Sequence, residues 1–226
     1  MLGTRFALGI TIALAATGAR AEDTESRGPR VMSVVDGIQN NLVEGRYSHV
    51  TRVNEKAGSY EFDCSGMVAW VLRRSAPKAG SAVAWTAGGR PLARDYYRRI
   101  ARTKADKPRW GWARVARVAD TLPGDVIAWL RPKEIRSVNT GHVAFVVAPP
   151  KAVAGHPNAY LLRIADASRY QHDHDTRRGT ERDGFGIGTI LVLAHPETGA
   201  PYAYGWFGLR SGWILTTKMA IGRPVA

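Results

Sequence analysis

Cys64 is the single cysteine of the chain. It stands in Tyr60-Glu61-Phe62-Asp63-Cys64-Ser65-Gly66, directly before the apolar run Met67-Val68-Ala69-Trp70-Val71-Leu72. A lone cysteine cannot close an intramolecular disulfide, so it is a buried filler, an intermolecular link or a reactive thiol. The turn-forming Asp-Cys-Ser-Gly ahead of a helical run favours the third. It predicts a sulfur at a helix N-terminus, where free N–H groups and the helix dipole stabilise a thiolate. Asp63 fits the N-cap of that helix. The backbone N–H of Ser65, beside the sulfur, could assist an oxyanion site.

A thiolate nucleophile needs a partner that takes and returns a proton near neutral pH, which histidine does. Of the six histidines, His142 is the best placed: it follows Gly141 and opens the apolar strand Val143-Ala144-Phe145-Val146-Val147. A third group must accept the other ring N–H and fix the tautomer. Asp166, closing the next predicted strand, can face His142 if strands 142–147 and 160–166 are neighbours. Each residue also has a plainer reading: a small buried hydrophobe for Cys64, a polar strand end for His142, a turn former for Asp166. Together these weaken, because all three fall at element ends where side chains can converge.

The string His172-Asp173-His174-Asp175, followed by Arg177 and Arg178, alternates groups that could ligate a metal. Its turn-like character and the lack of other obvious ligands favour a solvated loop, then substrate-side polar contacts, with a metal last. His49, His156 and His195 have nothing beside them in the sequence that suggests chemistry. Tyr204, Trp206, Phe207 and Trp213 read as core or platform aromatics. The expected site needs no metal and no organic cofactor.

These residues must be positioned by a helical first half and a stranded second half. Val31, Val34, Val35, Ile38 and Leu42 recur at helical spacing, with Gly45 as a stop. Residues 47–60 are polar and turn-rich. The Cys64 helix is expected to end near Ser75-Ala76-Pro77, residues 78–90 to form a Gly/Ala-rich loop, and Leu92 to Ile100 a short helix. Residues 101–119 carry no assignable pattern. From Leu122 the chain changes character. Pro123-Gly124-Asp125 is a turn, and 126–130, 141–147, 160–166, 187–193 and 202–207 read as strands. Helices first and strands second imply an α+β domain with a mostly antiparallel sheet.

Residues 1–21 read as a signal peptide: Arg5, an apolar stretch from Phe6 to Gly18, then Ala19-Arg20-Ala21 before Glu22. The stretch is short for a bilayer span; a retained anchor is the other reading. Residues 22–30 read as a flexible lead-in. The 226 residues less these first 21 leave 205, a length for one domain over 31–226. The net charge of +13 falls to +11 without Arg5 and Arg20. It points to an anionic partner (cell-wall polymer, lipid headgroups or nucleic acid) of an exported protein that is periplasmic or secreted, and a cell-wall polymer or peptide substrate is the expected partner. The arginines are scattered and form no nucleic-acid motif, so no nucleic-acid partner is expected.

Phe62-Asp63-Cys64-Ser65-Gly66, Leu122-Pro123-Gly124-Asp125-Val126 and Gly141-His142-Val143-Ala144, in that order, resemble the NlpC/P60 cysteine peptidases of the papain-like superfamily, relatives of the CHAP amidases. The resemblance covers roughly residues 31–170 by motif placement. It implies a papain-like fold in which N-terminal helices pack on an antiparallel sheet. It also implies Cys64 as nucleophile, His142 as base and Asp166 in the place of the third polar residue. Tyr47 falls where such enzymes carry a site-lining tyrosine; an aromatic that anchors the loop is the equal alternative. Peptidoglycan stem peptides are the implied substrate. The family's Trp-Gly-Gly stretch is replaced by Thr51-Arg52-Val53-Asn54-Glu55-Lys56-Ala57-Gly58-Ser59. An acyltransferase or transpeptidase on the same scaffold, or a wall-binding module without activity, are therefore the rivals. The region after about residue 170 has no counterpart in the resemblance.

Overall fold

The computed structural model describes residues 25–177 and 183–226. The leader expected over residues 1–21 lies outside them, as does Arg178. Among the described residues no helix is long and apolar enough to cross a membrane.

The first half is helical. α1 (Gly28–Asn41) carries Pro29 in its first turn and buries Val31, Val35 and Ile38 along one face. α2 (Cys64–Ser75) is capped by Asp63, and α4 (Ala93–Arg102) buries Ala93, Tyr96 and Ile100. Between them the expected loop over 78–90 is instead α3 (Pro77–Ala87), closed by Gly88 in the left-handed region. Proline in the first turn, alanines through the body and a left-handed glycine at the end are helix signals. Counting glycines and alanines as a loop overlooked them. The turn-rich stretch after α1 contains three short strands: β1 (Glu44–Arg46), β2 (Arg52–Asn54) and β3 (Ser59–Glu61). They form a small sheet ordered β1-β3-β2.

The second half builds the main sheet. Its strands are β4 (Trp112–Val115), β5 (Val126–Leu130), β6 (Gly141–Val146), β7 (Lys151–Ala152), β8 (Ala159–Ser168), β9 (Gly184–Ala194), β10 (Pro201–Gly205), β11 (Leu215–Thr216) and β12 (Met219–Pro224). Their order is β11-β10-β9-β8-β6-β5-β12-β4, with β7 on β8, and every pairing among them is antiparallel. The molecule is α+β, with helices packed on a large antiparallel sheet.

Strand alternation divides the interior into two cores. Val126, Ala128, Val143, Phe145, Ala165 and Ala167 face the helices. Their neighbours Ile127, Trp129, Ala144, Val146, Leu162 and Ile164 fill a second core with Ile190, Val192, Tyr204 and Ile221. That second core explains why the strands read as continuous apolar runs: both faces are covered.

One expectation about the ends of the chain is corrected. Residues 25–30 are not a flexible lead-in, since Gly28 already begins α1. Ser26 bridges Val225, and the N–H groups of Arg27 and Ala226 reach the carbonyls of Pro224 and Glu25. Gly28 also packs on Gly124 so closely that a Cβ on Gly124 would sit 2.4 Å from the Gly28 Cα. The region after 170, which has no counterpart in the resemblance, supplies strands of the main sheet. β9 extends the sheet beyond β8, and β12 lies between β4 and β5. Nonlocal pairing of this kind leaves no short-range pattern in the sequence, so strand spacing alone could not place it.

Candidate active site

The Asp63 carboxylate builds the start of α2. Oδ1 accepts from the Gly66 N–H at 2.8 Å and from the Ser65 hydroxyl at 3.0 Å, and Oδ2 takes His49 Nδ1 at 2.9 Å and Arg90 Nη2. The first intrahelical donor is Met67 N–H, bonded to the Asp63 carbonyl. The N–H groups of Cys64 and Ser65 precede it, in the orphan turn that can receive an oxyanion. Burial pushes the Asp63 carboxyl up. The hydrogen bonds from His49, Gly66 and Arg90, with the Arg90 charge, outweigh that and hold it below its ordinary value. Asp63 is thus a cap and an anchor, as its place before the helix suggests.

Cys64, 8 % exposed, lies within electrostatic reach of the His142 side chain. His142 is delivered by Gly141, which opens β6 with φ +141° opposite Leu130. A Cβ there would lie 1.9 Å from the Trp129 carbonyl oxygen, so only glycine allows the strand to start at this point. His142 Nε2 is 2.7 Å from Asp166 Oδ2, which leaves Nδ1 for the thiol. β6 and β8 are neighbours, with Phe145 paired to Ala165. The Cys64, His142 and Asp166 side chains therefore meet in chain order.

Burial pushes the His142 imidazole down. Interaction with Cys64 and the hydrogen bond to Asp166 overcome it and lift the value to about 9. Burial likewise pushes the Asp166 carboxyl up. His172 and Arg177, together with the His142 hydrogen bond, hold it well below the carboxylate range instead. The arrangement sets a thiol, an imidazole and a ring-fixing carboxylate in line, the constellation of an activated nucleophile.

Tyr47 lies within electrostatic reach of Cys64 and Asp63. It carries the Arg169 guanidinium 5.3 Å above its ring and stands edge-on to His49 at 5.6 Å. Burial, then those two negative groups, push its phenol up, so the hydroxyl stays a donor. Tyr96, fully buried, directs its hydroxyl at the Ser65 carbonyl at 3.4 Å.

The expectation of a solvated loop at 172–175 is overturned for most of it. His172, Asp173 and Arg177 are buried, while His174 points outward. Arg177 Nη2 bonds Asp166 Oδ1 at 2.9 Å and Asp175 Oδ2 at 2.7 Å. His172 Nε2 bonds Asp166 Oδ2 at 2.9 Å. Trp206 closes the cluster, its ring centroid 4.2 Å from His172 and 5.1 Å from His142. The charge alternation of 172–177 was the signal; what the sequence does not carry is that Asp166 is its partner.

The ligating atoms of His142, Asp166 and His172 lie close enough together to be considered for a metal ion. Their separations of 2.7 and 2.9 Å are hydrogen-bond lengths. Tetrahedral ligands at about 2.0 Å from zinc stand about 3.3 Å apart. Arg177 also occupies the other Asp166 oxygen. The geometry describes a proton-bridged cluster.

Comparison with known proteins gives no match: no family model, curated protein or solved structure proves similar to this chain.

Proposed function

We propose that this chain is an exported thiol hydrolase of the papain-like, NlpC/P60-related kind, acting on an amide bond in peptidoglycan stem peptides. The observation that carries the reading is the placement of Cys64 at the N-terminus of α2, within electrostatic reach of a His142 ring whose Nε2 is bonded to Asp166 at 2.7 Å. The Cys64 thiolate attacks the amide carbonyl. The oxyanion forms beside the free N–H groups of the first turn. The His142 imidazolium gives its proton to the leaving amine, and a thioester remains. Water then loses a proton to His142 and cleaves the thioester, restoring the thiolate. Asp166 keeps the ring oriented and its cation stabilised throughout. A net charge of +13 suits an anionic polymer.

One observation favours a second reading, acyl transfer involving a lipid. Phe207, Leu209, Trp213 and Ile214 are exposed in the segment that follows Trp206, the residue against His142. Digestion of purified muropeptides, with products weighed by mass spectrometry, tests both. New amine and carboxyl ends, absent with Cys64→Ala, support hydrolysis. A product in which an added amine acceptor has captured the acyl group supports transfer. Turnover that survives Cys64→Ala removes the thiol mechanism.

A further inference from the structure

Behind the Asp166 carboxylate stands a histidine whose two ring nitrogens both face acceptors. His172 Nε2 lies 2.9 Å from Asp166 Oδ2, and Nδ1 lies 3.1 Å from the Trp206 carbonyl oxygen. A neutral imidazole has one N–H and one lone pair. In this setting its lone pair would confront one of those oxygens. Only the imidazolium donates to both.

Charge balance leads to the same protonation state by a separate route. Asp166 and Asp175 bring two negative charges, and Arg177, bonded to both, brings one positive charge. The side chains of all three are at most 3 % exposed, and that of His172 is 0 % exposed. A proton on His172 makes the group neutral. Without it the interior holds an uncompensated charge, which is costly away from water. The Cys64–His142 pair is neutral in itself and leaves this balance unchanged.

The groups facing His172 are Asp166 from β8, His142 from β6 at a ring separation of 6.4 Å, Asp175, which accepts the backbone N–H of His172 and not a ring N–H, and Arg177. Asp173, next in the chain, is engaged by Arg210. Asp166 therefore has both oxygens committed, Oδ2 to two imidazoles and Oδ1 to a guanidinium.

We propose that His172 is a buried imidazolium and a positioning residue: it clamps Asp166 against His142, and its charge sets the pH range over which the Cys64–His142 pair operates. The second half of this proposal rests on Cys64 and His142 being a reactive pair; the protonation of His172 does not.

Two measurements on the full chain test it. In nitrogen-15 spectra at neutral pH, both His172 ring nitrogens should carry protons; the pattern of a neutral tautomer overturns the proposal. In the second, Cys64 alkylation by iodoacetamide is followed against pH in wild type and His172→Gln. Removing a neighbouring cation makes protons bind more tightly, so the inflections of the coupled pair should move upward by roughly one unit. A slower rate with unmoved inflections marks a merely structural residue and overturns the positioning role. If the variant does not fold, the wild-type spectra across pH decide: His172 must keep both protons wherever His142 keeps its own. Wild-type alkylation indistinguishable from that of a free thiol counts against the hydrolase reading instead, and leaves the nitrogen result standing.

Discussion

Asp166 lies 2.7 Å from His142 Nε2 and has no exposed surface. A carboxylate in that position fixes which imidazole nitrogen is left for the thiol. It also neutralises cations that are otherwise stranded in the interior. Both roles are lost in Asp166→Asn, which keeps the shape and removes the charge. With His172 and Arg177 left without their shared anion, the variant should lose roughly 3–5 kcal/mol in urea unfolding. Cys64→Ala, by contrast, should stay within about 1.5 kcal/mol of wild type, since it removes one small side chain. A stable Asp166→Asn protein would show that the cluster is not charged as the geometry requires.

The alkaline limit of stability should be set by His142. Its folded value of about 9 lies above the ordinary histidine value of 6.5, so the native state binds this proton more tightly than the unfolded chain does. The stabilisation is complete below 6.5 and is lost as pH rises through 9. The opposite sign applies to Asp166, held well below 3.8. Its contribution is present above that value and disappears as pH falls through its folded value. Urea midpoints should therefore be level in the weakly acidic range and decline on the alkaline side. His142→Gln should flatten the alkaline decline; an unchanged slope in that variant would assign it to other groups.

How much of this was legible in the sequence depends on whether the structural cause is local. The Cys64 helix and its Asp63 cap are encoded within a few residues, and they stand where spacing puts them. His142 and Asp166 could be paired because the two strands succeed one another and lie side by side. α3 is hidden by a composition of glycines and alanines that suggests a loop, and only its proline start and left-handed glycine end mark it as a helix. Arg90 and His49, both on Asp63, were not reachable. Neither sits in a motif, and both contacts depend on how separate segments fold over the start of α2. The 172–175 segment looks solvated from the sequence because its polarity is visible there and its partner, a buried carboxylate on β8, is not.

The placement of β12 inside the sheet has its own consequence. Arg223, on that strand, forks onto Asp125 with Nε at 2.8 Å and Nη2 at 2.9 Å, and Asp125 is almost fully buried. Burial pushes that carboxyl up even with its partner in place. Arg223→Ala strands it and should cost roughly 3–5 kcal/mol by chemical denaturation. Arg223→Lys should recover only part of the loss, because an ammonium cannot make the planar two-point contact. The rate of Cys64 alkylation in protein that remains folded should match wild type, since the side-chain hydrogen bonds of Arg223 go to Asp125 and the Asp120 carbonyl. Full stability in Arg223→Ala would mean that the C-terminal strand is an accessory to the sheet.

Tyr47 can be assigned to one of its two readings by removing a single oxygen. Burial and the nearby negative groups keep its hydroxyl protonated, and Arg169 rests against its ring. Tyr47→Phe retains the ring, and with it any anchoring of the loop; only the donor disappears. If that donor serves charge developing on a substrate at Cys64, kcat/KM for amide cleavage should fall about a hundredfold, with most of the loss in kcat. Iodoacetamide alkylation, which develops no oxyanion, should be nearly unchanged. If Tyr47 only anchors the loop, Tyr47→Phe will turn over substrate like wild type, while Tyr47→Ala will lose stability in urea. The comparison of the two variants thus separates a chemical role from a packing role at the same position.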